Sequence, residues 1–149
     1  MTGGALRKLV VGTALAIGDA AGQTKPTTGG GLAFAAITAK IAAGATIGAM
    51  DEGGLSRYEE LWWEIFGREV KAMLFLRRLL NSIDDNGLES LVALLRDAGF
   101  EEAAVKWGDM DRQAGFIAGM AGSLASHVIR YPSKALTLVS LLARALFRP

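Results

Sequence analysis

At 149 residues the chain is long enough for one domain with a sizeable core. A net charge of +1, from 16 basic and 15 acidic side chains, gives no reason to expect a nucleic-acid partner. With no cysteine and one histidine, His127, the sequence excludes disulfides, thiolate chemistry and a multi-histidine metal site within itself.

A hydrophobic fraction of 51% and a mean hydropathy of +0.31 raise a membrane question. Arg7 and Lys8 before an apolar run outline a signal peptide, but Gly18-Asp19 interrupts the region where cleavage would fall. Residues 27–50 are nearly charge-free, yet Lys40 stands near their centre, where a charge costs about 2.5–3.5 kcal/mol on insertion scales. Three consecutive glycines at one end shorten the helical part further. A buried helix in a soluble fold is the expectation.

In chain order, residues 1–12 read as a ragged start with turns at Gly3, Gly4 and Gly12. Thr13-Ala14-Leu15-Ala16-Ile17 has the length and composition of a buried strand. A glycine-rich loop follows, Gly18-Asp19-Ala20-Ala21-Gly22-Gln23-Thr24-Lys25-Pro26-Thr27-Thr28-Gly29-Gly30-Gly31, and then an Ala-rich helix over 32–50 with Thr28 or a neighbour as its cap. Strand, glycine loop and helix N-terminus together make a site for electron-rich groups. The first helical N–H groups lack partners, and glycine lets ligand atoms approach them. A carboxylate at a strand end, Asp19, calls for hydroxyl donors such as those of a ribityl chain. A flavin nucleotide has both features.

These residues resemble the second flavin-binding motif of the geranylgeranyl reductase family, FAD-dependent enzymes that reduce isoprenoid double bonds. The Gly18-Asp19 pair is shared by many flavoproteins; Pro26-Thr27-Thr28-Gly29-Gly30-Gly31 is more specific. The resemblance implies that Asp19 binds the ribityl portion of FAD, and that Gly31 and Leu32, with Gly30 and Pro26 beside them, contact the isoalloxazine through the backbone. It extends to Tyr58-Glu59-Glu60-Leu61-Trp62 with Gly67-Arg68-Glu69, similar to the family's Tyr-x-x-x-Trp…Gly-x-Glu helix, and to Leu76-Arg77-Arg78-Leu79. Trp63 stands where a basic residue is expected. The likeness covers about residues 14–95 and thins beyond them.

A FAD site of this kind also needs a strand, a Gly-x-Gly-x-x-Gly turn and a helix, with an acidic residue farther on. Residues 1–12 do not supply them, so the chain is expected to be the C-terminal part of a longer enzyme. Alone it is expected to bind FAD very weakly or not at all.

A second helix is expected over 55–81, bent near Gly67, with Ser56 and Glu59 at capping-box spacing. Trp62, Trp63 and Phe66 cluster on its apolar face. Trp62 and Phe66 are candidates for the wall of an isoprenoid channel, and core packing is the plainer reading. Arg68, Arg77 and Arg78 are candidates for a lipid phosphate, with a solvated basic face as the default. Asp84-Asp85-Asn86-Gly87 reads as a turn, 89–98 as a short helix ending at Gly99, and 105–111 as irregular. Two apolar helices over 113–129 and 132–147 close the chain, with a Gly115-x-x-x-Gly119 spacing and His127 as a structural residue.

The expected fold is α/β but mostly helical: the last strand and flavin-contacting helix of a glutathione-reductase/hydroxylase-type FAD domain over 1–54, then a helical substrate or cap region over 55–149. The implied activity is reduction of geranylgeranyl double bonds in membrane lipid biosynthesis. A prenylated lipid is the implied substrate, and the implied location is cytoplasmic with peripheral contact to the inner face of the membrane. The competing readings are a flavin monooxygenase or quinone-linked dehydrogenase, and a non-catalytic helical membrane-associated protein.

Overall fold

The computed structural model describes residues 3–48, 54–109 and 111–147. They form two short strands, β1 (Val10–Val11) and β2 (Ala14–Leu15), and six helices. The helices are α1 (Leu32–Gly48), α2 (Ser56–Ser82), α3 (Asp85–Asp97), α4 (Phe100–Trp107), α5 (Gln113–Arg130) and α6 (Ala135–Phe147). The chain divides into two compact units, Met1–Leu74 and Phe75–Pro149.

The expected buried strand over 13–17 is a two-residue arm of a hairpin. β1 and β2 pair antiparallel, Val10 opposite Leu15 and Val11 opposite Ala14. Gly12, at φ +60°, supplies the left-handed residue of the two-residue turn between them. Ile17 is half exposed, because among the described residues no further strand covers this apolar run.

The start of the chain is more ordered than its composition suggests. Gly4 and Ala5 donate their N–H groups to the Gly22 carbonyl, and Leu6 donates to that of Ala21. Leu9 is buried in the core, and its N–H donates to Glu59 Oε2 at 2.9 Å. That bond engages one oxygen of the carboxylate that the capping-box spacing assigned to the α2 terminus.

In the first unit, α1 buries a stripe of Phe34, Thr38, Ala42 and Ala45. The spacing is that of one helical face. α2 answers with Tyr58, Trp62, Phe66, Val70 and Met73, all in the same core. It runs unbroken through Gly67, which is buried; a Cβ there would meet the Trp63 ring at 3.5 Å.

In the second unit the helices are set by their ends. The segment read as a turn is the start of α3: Asp84 is its N-cap, accepting from Gly87 N at 2.9 Å. Gly99, at φ +79°, ends α3 and opens α4, which takes in much of the stretch expected to be irregular. Asp109 Oδ1 then accepts from the N–H groups of Asp111 and Arg112 just before α5. Gly115 and Gly119 are exposed, so their spacing marks no helix contact here. Among the described residues no helix is long and apolar enough to cross a membrane.

Candidate functional site: the Gly18–Gly31 loop

The loop begins as a single 3₁₀ turn over Gly18–Ala21, closed by Gly22 in the left-handed conformation. Gly22 N donates to the Asp19 carbonyl and Gln23 N to that of Gly18. A second turn closes at the far end, where Lys25 N donates to the Gly30 carbonyl and Gly29 N to that of Lys25. Gly31 then provides the carbonyl that accepts the first bond of α1, from Ala35 N at 2.7 Å.

Gln23 holds the first turn in place. It is fully buried, and its Oε1 accepts from Gly18 N at 2.8 Å while its Nε2 donates to the Tyr58 hydroxyl at 2.9 Å. Tyr58 in turn donates to the Ala16 carbonyl at 2.9 Å. The end of β2, the turn and α2 are thus joined by one chain of buried bonds, each group satisfied by the next. Burial pushes the Tyr58 phenol up from its ordinary pKa, the Gln23 bond opposes this, and the Glu59 carboxylate adds to the rise.

The second half of the same motif anchors the helix. Trp62 Nε1 donates to Thr38 Oγ1 at 3.0 Å, both side chains fully buried. One turn apart on α2, Tyr58 fixes the loop and Trp62 fixes α1 (the i, i+4 spacing places both on one face). Phe66 packs against Phe34 with ring centroids 4.4 Å apart and planes tilted by 37°, and lies 5.3 Å from Trp62. Trp62 and Phe66 are part of the core here. The apolar volume of α2 is needed to hold α1.

The sequence-predicted loop residues are brought together. A Cβ built on Gly31 would stand 3.0 Å from Asp19 Oδ1 and 3.1 Å from Thr24 Cγ2. The Asp19 carboxylate thus lies over Gly31 at the start of α1, although Asp19 is exposed rather than desolvated. Pro26 is buried under the loop. Leu32, the first residue of α1, is 88% exposed. A Cβ on Gly30 would meet Lys25 Nζ at 3.8 Å, which places an ammonium group beside the glycines. The arrangement fits the flavin reading: a carboxylate for hydroxyls, a helix N-terminus for an electron-rich edge, and a floor that only glycine leaves clear.

The roles of Gln23 and Lys25 were not legible beforehand, whereas the Tyr-x-x-x-Trp spacing was a signal for the clamp. Thr28 caps the loop and not the helix: its Oγ1 accepts from Gly30 N at 3.3 Å.

No family model and no solved structure matches the chain. It is 40% identical to digeranylgeranylglycerophospholipid reductase 2 of Methanothermobacter thermautotrophicus over 86 residues, 54% of this chain and 22% of that protein. It is 33% identical to reductase 1 of the same organism over 107 residues, 68% of this chain and 27% of that protein. An uncharacterized protein of Methanocaldococcus jannaschii is 36% identical over 113 residues, 74% of this chain and 29% of that protein. The chain spans about a quarter of the length of the curated relatives it matches. By these similarities, and by the Gly-Asp loop and Tyr-x-x-x-Trp helix at its centre, the chain belongs to the digeranylgeranylglycerophospholipid reductase family.

Proposed function

We propose that the chain carries the flavin-contacting loop of an FAD-dependent oxidoreductase that reduces geranylgeranyl double bonds of membrane lipids. The observation that carries this reading is the placement of Asp19 over Gly31 at the N-terminus of α1. In it, Asp19 accepts from the ribityl hydroxyls of FAD. The N–H groups of Gly31 and Leu32 face the electron-rich edge of the isoalloxazine, Gly30 leaves room for it, and Pro26 fixes the turn beneath. The helix N-terminus stabilises negative charge there, and Lys25 adds a cation. When bound, the reduced flavin would supply a hydride to one carbon of the double bond, and a proton from water or another donor would complete the saturation at the other.

On this reading residues 1–54 are the flavin-contacting part and 55–149 the cap on the substrate side, with the first half of α2 holding the loop. The adenosine-binding portion corresponds to sequence of the kind that makes up the rest of the relatives' length. A cytoplasmic location with peripheral contact to the inner face of the membrane follows from the lipid substrate. The test is a chimera in which this chain replaces the matched segment of the Methanothermobacter reductase 2. Under anaerobic conditions it reduces a geranylgeranyl lipid. Hydroxylation that requires oxygen would instead favour a monooxygenase, and absence of both reactions in a folded, flavin-loaded chimera would refute the reading.

A further inference from the structure

The second unit contains two cavities that the flavin loop does not use. One, of about 200 Å³, has only apolar side chains on its walls, among them Leu91, Leu95, Phe116, Met120, Leu124 and Leu138. The other, of about 590 Å³, is lined by Asp97, His127, Arg130, Tyr131 and Lys134 together with Ser123, Ser126 and Ala98. The two are successive stretches of the same three helices and their junction. On α3, Leu95 belongs to the apolar cavity and Ala98, three residues on, to the polar one. On α5, Leu124 is followed after three residues by His127. Towards α6, Lys134 precedes Leu138 by four. Three or four helical residues are about 4.5–6 Å of rise, so along each element the apolar lining gives way to that of the polar cavity within about one turn.

We propose that these cavities together hold one amphipathic ligand, the prenylated glycerophosphate of the lipid substrate, with its phosphate between Arg130 and Lys134. The identity of the ligand rests on the reductase reading above. Charge complementarity supports it: Arg130 and Lys134 against the single carboxylate of Asp97 leave the polar cavity with net positive charge, as a phosphate ester requires. The cations are held in position. Lys134 Nζ is paired with Asp97 Oδ2 at 3.5 Å, and the Arg130 guanidinium lies 5.9 Å from the Tyr131 ring centroid. The Tyr131 ring packs against His127, centroids 4.8 Å apart and planes tilted by 42°. Ser123 Oγ donates to the Ala98 carbonyl at 2.7 Å, which fixes the α3 end against α5 in the wall of the polar cavity. Asp97 also offers acceptors to the glycerol hydroxyl. The apolar cavity is smaller than the roughly 300–1,000 Å³ of a whole-ligand pocket, so it takes the part of the prenyl chain nearest the phosphate. The Phe100–Phe116 edge contact, 5.6 Å between centroids, forms part of its wall.

The experiment is a calorimetric titration of the 149-residue chain with geranylgeranylglyceryl phosphate, geranylgeraniol and inorganic phosphate. The unsubstituted chain binds the phosphate lipid at least tenfold tighter than the alcohol, and the double variant R130Q/K134Q loses that tenfold while its affinity for geranylgeraniol is unchanged. Arg130 is exposed and Lys134 about half so, and a melting curve confirms that the variant is folded. Equal affinity for lipid phosphate and alcohol in the unsubstituted chain overturns the proposal. So does binding of inorganic phosphate with no gain from the prenyl chain. The outcome is separable from that of the reductase reading. In the chimera, R130Q/K134Q raises KM for the phospholipid with kcat nearly unchanged if the proposal holds. An active chimera indifferent to the substitution sinks this proposal and leaves the reductase reading standing. Arg130-dependent binding of the lipid phosphate by a chain whose chimera reduces nothing does the reverse.

Discussion

The two units solve the same problem, holding helices together, by different means. The first is knitted by buried polar bonds between segments far apart in sequence: Leu9 to Glu59, Gln23 to Tyr58, Trp62 to Thr38. The second relies on local chemistry at helix ends, with Asp84 capping α3 and Gly99 turning into α4, around an apolar cavity. Long-range buried bonds fix a geometry, because a displaced partner leaves a desolvated group unsatisfied. Local caps fix helix boundaries and, the Ser123–Ala98 bond apart, leave the packing between helices to apolar contact. The long-range bonds surround the loop that needs accurate placement, and the apolar packing surrounds the cavities proposed for a lipid chain.

Substitutions should break this contrast unequally. The largest effect is expected from Trp62→Ala. It empties a fully buried site and unpairs Thr38, and should cost about 3–5 kcal/mol in a denaturant melt. Tyr58→Phe leaves the volume but strands the Ala16 carbonyl and Gln23 Nε2, for about 1–3 kcal/mol. Its signature is pH dependence. A phenol whose pKa is raised by folding contributes stability that is complete below about pH 10 and declines as pH climbs through the folded value. Tyr58→Phe should remove that part of the alkaline decline; an unchanged decline would refute the burial of the phenol.

Asp84→Ala in the second unit should cost about 1 kcal/mol, a cap's worth, with the loss seen as faster amide exchange at Gly87. The smallest effect is expected for Asp97→Asn. The pair with Lys134 has side chains 39% and 45% exposed, and its removal should change stability by less than about 1 kcal/mol, less still at high salt.

How far the sequence spoke for itself follows the same division. The apolar periodicity of α2 and the length of α5 were legible, as was the grouping of Asp19 with Gly31. The α3 start was misread because Asp-Asp-Asn-Gly suits a turn and an N-cap equally, the carboxylate accepting a nearby N–H in both. The 13–17 run was misread because its composition matches a buried strand, while burial depends on a covering layer that composition does not reveal. The Gln23–Tyr58 bond joins residues 35 apart and could not be read from local pattern at all. Leu9 was hidden for the same reason: its partner is 50 residues away.

In the function proposed above, Asp19 above Gly31 makes the Gly18–Gly31 loop a flavin site. The most direct measurement is the flavin content of the purified chimera, read from its visible absorbance, for the unsubstituted form and for Asp19→Ala and Gly31→Val. Both substitutions alter the loop and leave the Trp62 core intact. The account predicts stoichiometric FAD in the unsubstituted chimera and at least a tenfold weaker affinity in each variant, with melting temperatures close to the parent once flavin is removed. A folded chimera that retains FAD equally in all three forms would contradict it.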